Sequence, residues 1–449
     1  MDVKVLRGRV LSFLEEPQAI DDVASYRYIE DGAVVVGDGK ILMIGEFNAK
    51  AAAQHEVIDH RPYLVMAGFI DPHIHFPQMQ VIGSYAANLL EWLNTYTFVE
   101  EQRFADPAHS MRIASKFFDE LIRHGTTTAS AYCTIHPNSV DAFFGEAAKR
   151  DMLMLGGKVM MDRNAPGGLC DTPQSGYDES KALLEKWHGQ GRAHYVITPR
   201  FAITSSHEQM EMAEALAREY PDNHIQTHVD ENLAEVEFAR ELFPNLPDYL
   251  GIYERYHLLG PKTLLGHCIH LTHRECEVLA ATRSVAVWCP TSNLFIGSGL
   301  FDHDRLHAHG ARIAVATDVG GGSSYSMLRT LDEGYKVMQL RGQRLNPLRS
   351  FYMMTLGNAR ALSLEGRIGA LTPGADADLV VLDARATPQM ALRMEAVDSL
   401  ANELFLLQTC GDDRAVAETY VMGRAMKSGL GAQGRVSALP SSLEGEGGA

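Results

Sequence analysis

Several features are missing from the sequence, and each absence excludes a class of protein. The six cysteines are scattered and form no CxxC pair, unlike the dense disulfide frameworks of small secreted domains. No stretch approaches the roughly 20 consecutive apolar residues that span a bilayer, and the first residues lack the charged-then-apolar pattern of a signal peptide. We therefore expect reduced thiols, no membrane partner and a cytoplasmic location.

Basic side chains are also scarce relative to acidic ones. The chain has 40 lysine and arginine residues against 57 aspartate and glutamate residues, which gives a formal net charge of −17. Such a charge repels a nucleic-acid backbone or an anionic membrane at long range. The sequence therefore predicts no nucleic-acid partner and favours a neutral or cationic small molecule as substrate.

The sequences at the two ends of the chain have the pattern of β-strands. Residues 1–65 contain two apolar runs joined by Gly37-Asp38-Gly39, which is a strong hairpin signal. Residues 364–427 show a similar strand pattern after the turn at Pro373-Gly374. We expect these segments to pair into one small β-sandwich domain. Residues 428–449 are rich in glycine and serine and are predicted to form a disordered tail.

The central residues 66–363 alternate short apolar runs with longer segments of helical periodicity, which is typical of repeated βα units around a parallel sheet. Eight such runs occur, namely LVMAGFIDPHIHF, TTTASAY, LMLGGKVMM, HYVITPRF, HIQTHVDE, TLLGHCIH, SVAVWCP and RIAVATD. Eight strands with helices between them favour a closed (β/α)₈ barrel of the TIM type. An open, doubly wound α/β sheet is the alternative.

Chemically capable side chains stand at the ends of several of these runs. They are His73 and His75 after the first run, Arg200 after the fourth, His228 and Glu231 after the fifth, His267 after the sixth and Asp318 after the eighth. In a closed barrel the active site lies at the C-terminal face of the strands, where residues distant in sequence converge. An open sheet would not gather groups from strands one, five, six and eight so readily.

His73 and His75 are candidate metal ligands. Positions i and i+2 of a strand point to the same side, so the two imidazoles can share one ion. An HxH pair alone is a weak signal in a chain with 19 histidines, but His228 and Asp318 add two further ligands at later strand ends. This set predicts a Zn²⁺ site with one position open for water, whose pKa the metal lowers toward ~7.

Glu231 is the candidate proton carrier of this site. It follows His228 by three residues, which brings it close enough to move a proton from the water to a leaving atom. The structural alternative is a cap on the predicted helix ENLAEVEFARELF.

The motifs GFIDPHIHFPQ, THVDEN and ATDVGGGSSYSML together resemble the amidohydrolase superfamily, whose members share the barrel and a small flanking β-sandwich. The motifs LLEWLNTYTFVEEQRF, ITPRFAITSS, GHCIHL and CPTSNLFIGSG narrow the resemblance to the members that deaminate guanine. It covers most of residues 66 to 345, and GALTPGADADLVVLD extends it further. Two departures are visible, since Met66-Ala67 stand where relatives often carry a proline and Pro72 replaces a commoner small polar residue.

The resemblance implies a homodimer that hydrolyses the amino group of guanine, with one Zn²⁺ per chain. The ligands would be His73, His75, His228 and Asp318, and the catalytic residues would be Glu231, His267 and Asp318. In this scheme Glu231 shuttles a proton, while His267 and Asp318 steady the attacked centre. The purine would contact Gln78, Arg200, Phe201, His228 and Glu231.

Three of these purine contacts have physical roles that suit them. Arg200 can donate to the ring carbonyl oxygen, Gln78 can pair with a ring nitrogen and an adjacent N–H, and Phe201 can stack on the base, worth ~1–3 kcal/mol. Each also has a structural alternative. Gln78 could bond loop backbone, Arg200 could form a surface ion pair and Phe201 could pack in the core.

Other functions stay open at this point. A relative acting on an adenine-like, nucleoside or triazine substrate would keep the metal ligands and change the pocket. A non-catalytic barrel used for assembly is a different class, which the intact ligand set disfavours. A binuclear hydrolase is also disfavoured, because such barrels generally carry a bridging lysine on the fourth strand, which here ends in Arg200.

Overall fold

The computed structural model describes residues 3–85 and 88–430, and its strands form two sheets. In chain order the strands are β1 (Val3–Phe13), β2 (Tyr26–Gly37), β3 (Lys40–Glu46), β4 (Glu56–Ala67), β5 (Phe69–His75), β6 (Thr126–Tyr132), β7 (Leu153–Gly157), β8 (Val159–Met160), β9 (Ala193–Pro199), β10 (His224–Val229), β11 (Thr263–His267), β12 (Val285–Trp288), β13 (Arg312–Val315), β14 (Leu379–Leu382), β15 (Val416–Val421) and β16 (Arg424–Ala425).

Helices separate most of these strands. In chain order they are α1 (Ala49–Ala52), α2 (Leu89–Trp92), α3 (Phe98–Gln102), α4 (Pro107–Arg123), α5 (Pro137–Arg150), α6 (Pro173–Trp187), α7 (His207–Glu219), α8 (Leu233–Leu242), α9 (Leu250–Arg255), α10 (His273–Thr282), α11 (Pro290–Phe295), α12 (His303–Ala308), α13 (Met327–Leu340), α14 (Pro347–Tyr352), α15 (Asn358–Ala361), α16 (Pro388–Met394), α17 (Leu400–Cys410) and α18 (Lys427–Leu430). Among the described residues, no helix is long and apolar enough to cross a membrane.

The central sheet is the predicted barrel. Its strands run in the order β5-β6-β7-β9-β10-β11-β12-β13, neighbours are parallel, and the short β8 also pairs with β9. The strands β5, β6, β7, β10, β11 and β12 are buried at every residue, as expected of parallel strands covered by helices. The prediction of a (β/α)₈ barrel is confirmed, and the open sheet is excluded.

The barrel closes between its first and last strands through backbone hydrogen bonds just beyond β13. The amide nitrogen of Asp318 donates to the carbonyl oxygen of His73 over 3.0 Å, and that of His75 donates to Val319 over 2.6 Å. Three of the four residues in these bonds are predicted metal ligands. The seam of the barrel and the candidate metal site are therefore the same place.

The second sheet is built from both ends of the chain, with seven strands in the order β16-β15-β14-β4-β1-β2-β3. The predicted hairpin joins β2 and β3, where Asp38 and Gly39 take positive φ angles of 50° and 77°, as a two-residue hairpin turn requires. The late segment is not β throughout. It also forms α16 and α17, and α17 packs on α13 and α14 because its residues Leu404 and Leu407 are buried.

The exact domain boundaries at residues 65, 363 and 427 stay a prediction. Of the tail predicted to be disordered, residues 428–430 belong to the short helix α18, and residues 431–449 lie outside the described part of the chain.

A buried ion-pair network links the barrel to this second sheet. Arg192, which directly precedes β9, donates to Asp378 over 2.5 Å and to Asp376 over 2.8 Å. Both carboxylates are almost fully buried, and Asp376 is also contacted by Lys40 and Arg367, whose side chains are 44% and 34% exposed. Arg192 is the most buried of these three cations and is shared by both acidic groups.

Candidate active site

The predicted site residues meet around one cavity at the C-terminal face of the barrel strands. The cavity has an empty volume of about 380 Å³, its open mouth included. It is lined by His75, Gln78, Leu89, Trp92, Leu93, Arg200, Phe201, His228, Glu231, His267, Ile296, Asp318 and Gly321. A larger cavity of about 870 Å³ lies beside the amino end of β13, and none of the predicted site residues lines it.

The four predicted metal ligands converge behind this cavity. The Oδ1 atom of Asp318 lies 3.4 Å from Nε2 of His73 and 3.3 Å from Nε2 of His75. The Nε2 atoms of His75 and His228 are 3.2 Å apart. Since Nδ1 of His228 lies 2.6 Å from the carbonyl oxygen of Arg200, it carries the ring proton, and the lone pair on Nε2 points into the cluster.

The hydrogen-bonding state of His73 supports a cation at this point. Both ring nitrogens of this buried side chain have no hydrogen-bond partner among the described residues. Buried polar atoms are almost always partnered, so an unpaired imidazole beside a carboxylate and two further imidazoles needs another group. A divalent metal ion held by these side chains would supply it.

The charge states of the cluster fit the same conclusion. Burial lowers the pKa of His75 and, with the neighbouring imidazoles, lowers the pKa of His228 well below its ordinary value. Burial alone would raise the pKa of Asp318, but the adjacent imidazoles of His73 and His75 hold it well below the usual range. Neutral imidazoles and an ionised carboxylate are the ligands that Zn²⁺ accepts.

Packing fixes the rings of two of these ligands. A Cβ atom added to Gly266 on β11 would lie 2.5 Å from Cε1 of His73, so glycine is required there for the ring to fit. The ring of Tyr132, the last residue of β6, stacks on His75 with centroids 4.4 Å apart. The ligands are therefore held in position by the barrel itself.

His267 and Cys289 also lie within reach of the cluster. Ligand atoms of His73, His228 and His267 lie within 4.8 Å of one another, as do those of His73, Cys289 and Asp318. Burial raises the pKa of the Cys289 thiol well above its ordinary value, which disfavours the thiolate form that binds metals. Cys268, beside His267, is likewise buried with a raised pKa, as expected of a small apolar residue.

A hydrogen bond fixes the tautomer of His267. The side-chain nitrogen of Asn293 donates to Nδ1 of His267 over 2.9 Å, which leaves the ring proton on Nε2. That Nε2 lies 3.3 Å from Glu231 and 3.9 Å from Asp318. Burial lowers the pKa of His267 to about 3, so the ring is a neutral donor facing the cavity.

Glu231 lies on the cavity wall and is not a helix cap. Asn232 is the N-cap of α8, and the reciprocal bonds of that cap come from Glu235. The carboxyl of Glu231 instead accepts a hydrogen bond from Ser298 over 2.9 Å. Burial, with repulsion from Glu235 and Asp318, raises its pKa well above the ordinary value, which is a state suited to carrying a proton.

The residues predicted to hold a base line the same cavity. Arg200 is almost fully buried and bonds Glu101 over 2.6 Å, so it is not a surface ion pair. Gln78 bonds both Glu101, over 3.0 Å, and the backbone nitrogen of Gly320, over 3.2 Å, while lining the cavity. Phe201 is also buried and presents its ring to the cavity, 6.1 Å from the ring of His228.

Several side chains of the site were not predicted from the sequence. They are Glu101, Asn293 and Ser298, which bond predicted residues, and Leu89, Trp92, Leu93 and Ile296, which line the cavity. All seven fall inside the motifs LLEWLNTYTFVEEQRF and CPTSNLFIGSG, so the family motifs were the signal that could have identified them. Lys158 is buried at the end of β7, bonds Asp171 over 2.6 Å and does not line the cavity, which fits a structural role.

Comparison with known proteins agrees with this geometry. A model of the amidohydrolase family matches residues 64–426, and the chain belongs to this family. The chain is 44% identical over 429 residues to the guanine deaminase of Escherichia coli (strain K12), covering 94% of this chain and 97% of that protein.

The comparison with solved structures also finds guanine deaminases. The structure of the E. coli guanine deaminase superposes with a TM-score of 0.91 at 42% identity, covering 94% of this chain and 99% of the other. A guanine deaminase from C. acetobutylicum with bound guanine in the active site superposes with a TM-score of 0.85 at 27% identity, covering 94% of this chain and all of the other (100%). An adenosine deaminase with bound zinc, 20% identical with a TM-score of 0.80, shares the fold.

Proposed function

We propose that the protein hydrolyses guanine to xanthine and ammonia. The observation that carries this proposal is the shared cavity, which Gln78, Arg200 and Phe201 line together with Glu231 and members of the histidine–aspartate cluster. The first group is suited to a planar base with donor and acceptor edges, and the second is suited to activated water. Guanine bound in this cavity would place its amino-bearing carbon beside the cluster.

We propose one Zn²⁺ per chain as the metal, held by His73, His75, His228 and Asp318. When bound there, the metal would lower the pKa of a water molecule toward ~7 and so make a hydroxide nucleophile accessible at neutral pH. This assignment uses three imidazoles and one carboxylate as ligands and keeps one position open for water, in keeping with a catalytic centre.

Side chains of the protein then transfer the protons and stabilise the charge that develops at the attacked centre. Glu231, with its raised pKa, holds a proton and passes it to the ring nitrogen next to the attacked C2 atom of guanine. The Nε2–H group of His267 donates to the attacked centre, and the second carboxylate oxygen of Asp318 can accept a hydrogen bond from the incoming water. The water oxygen forms a bond to C2, its second proton passes through Glu231 to the amino group, and the C2–N bond then breaks to release ammonia and leave a carbonyl group at C2.

The base is oriented by the three residues of the first group. Arg200 donates to the ring carbonyl oxygen, Gln78 pairs with a ring nitrogen and an adjacent N–H, and Phe201 offers an aromatic face. A related barrel with the same metal ligands could select an adenine-like or triazine substrate by replacing one of these contacts.

Ammonia release from a panel of bases tests the proposal. The purified protein, supplied with Zn²⁺, should release ammonia from guanine and little from adenine, cytosine or melamine. Ammonia from another base and none from guanine would refute the substrate. A folded protein that binds no transition metal would favour the non-catalytic barrel.

We also propose a cytoplasmic homodimer, as the resemblance implies. Light scattering coupled to size-exclusion chromatography should give twice the mass of one 49.5 kDa chain. A mass of one chain at micromolar concentration would refute the dimer.

A further inference from the structure

Glu101 lies behind the wall that is proposed to hold the base. It belongs to the short helix α3, is almost fully buried and is not among the residues that line the cavity. Each of its carboxylate oxygens bonds a different residue of the wall. Oε1 accepts from Nε2 of Gln78 over 3.0 Å, and Oε2 accepts from Nη1 of Arg200 over 2.6 Å.

The contacts of Gln78 leave its amide only one orientation. A carboxylate can only accept and a backbone N–H can only donate, so the nitrogen must face Glu101 and the oxygen must face Gly320. The amide keeps one N–H and one lone pair free. Glu101 and Gly320 together decide which hydrogen-bonding edge Gln78 presents to a base.

The contact with Arg200 sets the charge of the wall. The guanidinium is buried and lies 5.3 Å from the ring centroid of Phe98 on α3, so Glu101 is its close anionic partner. His75 and Asp318 line the same cavity as Arg200, and His136 is a further titratable group that interacts electrostatically with Glu101. A buried cation without a partner would attract an anion strongly, whereas the paired guanidinium donates hydrogen bonds with little net charge.

We propose that Glu101 is a positioning residue that makes this wall selective for a neutral base over an anionic one, and in particular for guanine over xanthine. The inference rests on the proposed function. Xanthine carries two ring carbonyl groups beside N–H groups and loses a proton near neutral pH, whereas guanine stays neutral there. Pairing Arg200 with Glu101 therefore weakens the binding of the ionised product and assists its release.

The test compares Glu101→Gln with the neighbouring Glu100→Gln. Both changes replace a buried carboxylate by an isosteric amide, but Glu100 bonds Arg103 and His109 and none of the site residues. For each protein the KM for guanine and the inhibition constant Ki for xanthine are measured from pH 6 to 9.

We expect the KM of Glu101→Gln for guanine to rise about tenfold, because the substituted amide can turn its own N–H group toward Gln78 and so compete with the orienting contact from Gly320. The Ki for xanthine should itself fall at least about tenfold at high pH relative to the wild type, since the unpaired guanidinium then attracts the xanthine anion, so the ratio of Ki to KM falls further at high pH than at low pH. Glu100→Gln should keep the wild-type ratio at every pH.

Each result decides the question. If KM and Ki change in parallel at every pH, Glu101 has a merely structural role and the inference is overturned. The inference is also overturned if Glu100→Gln lowers the ratio of Ki to KM as much as Glu101→Gln does. If the Glu101→Gln protein does not fold, Glu101→Asp keeps the charge and must keep the wild-type ratio; a lowered ratio overturns the inference. Wild-type protein that releases no ammonia from guanine overturns the proposed function, whereas an active wild type with unchanged selectivity overturns only the role of Glu101.

Discussion

The hydroxyl of Ser298 donates to Oε1 of Glu231 over 2.9 Å, while Oε2 of the same carboxyl lies 3.3 Å from Nε2 of His267. One oxygen is thus anchored to the loop after α11, and the other is directed to the neutral imidazole on the cavity wall. A carboxyl held in this way can exchange a proton with little movement.

Replacing Glu231 by glutamine should therefore lower kcat for guanine by about 10²–10⁴-fold, because the amide cannot carry the proton. Metal content should be unchanged, since all four ligands remain. Ammonia release and elemental analysis measure the two effects. The control is Glu237→Gln on the exposed face of α8, which should retain wild-type activity. Near-normal activity of Glu231→Gln would refute the proton-carrying role.

Replacing Asn293 by alanine should lower kcat about 10–100-fold, because Nδ1 of His267 can then take the ring proton and leave Nε2 without one. The KM should change less, since Asn293 does not line the cavity. Steady-state kinetics separate the two parameters. A variant with normal kcat would show that another contact fixes the tautomer.

Replacing Gly266 by alanine should displace the ring of His73 and reduce the bound metal per chain. The matched control is Gly260→Ala in the loop before β11, where an added Cβ meets nothing within 4 Å. Elemental analysis of both proteins, purified side by side, makes the comparison. Equal metal content would mean that the barrel relaxes around the methyl group.

Removing the metal with a chelator should abolish ammonia release and lower the unfolding temperature, and added Zn²⁺ should restore both. A ligand at about 100 times its Kd stabilises the folded state by about 2.7 kcal/mol. The inactive Glu231→Gln protein should show the same thermal shift, because it keeps the ligands. An unchanged unfolding temperature after complete removal would contradict a metal site in the barrel seam.

Replacing Arg192 by methionine should destabilise the fold by about 3–5 kcal/mol, because Asp376 and Asp378 are left buried with reduced compensation. Replacing Lys40 by methionine removes an exposed partner of Asp376 and should cost at most about 1 kcal/mol. Denaturant unfolding of the two variants measures the difference. Similar losses would show that the network tolerates the missing guanidinium.

The sequence predicted those parts of the molecule that depend on local pattern. The eight apolar runs became the eight barrel strands because parallel strands buried on both faces need continuous apolar sequence. His73 and His75 could be placed on one side of their strand from the i, i+2 spacing alone. The remaining site residues could be placed together at the C-terminal ends of their strands once a barrel was assumed.

Contacts between loops could not be predicted in this way. Glu101 lies 99 residues before Arg200, and Ser298 lies 67 residues after Glu231, so only the folded barrel brings these pairs together. The helices α16 and α17 were missed because the late segment was interpreted from its flanking apolar runs, while α17 is stabilised by packing on α13 and α14.

The hydrogen bonds from Asp318 to His73 and from His75 to Val319 also constrain the order of biosynthesis. The ligands from the first strand leave the ribosome early, His228 follows His75 by 153 residues, and Asp318 is translated only after the eighth strand. A nascent chain cannot hold the complete metal site before that point, whatever the supply of metal. A chain truncated before Asp318 would therefore carry the three histidines without the carboxylate that completes the proposed ligand set.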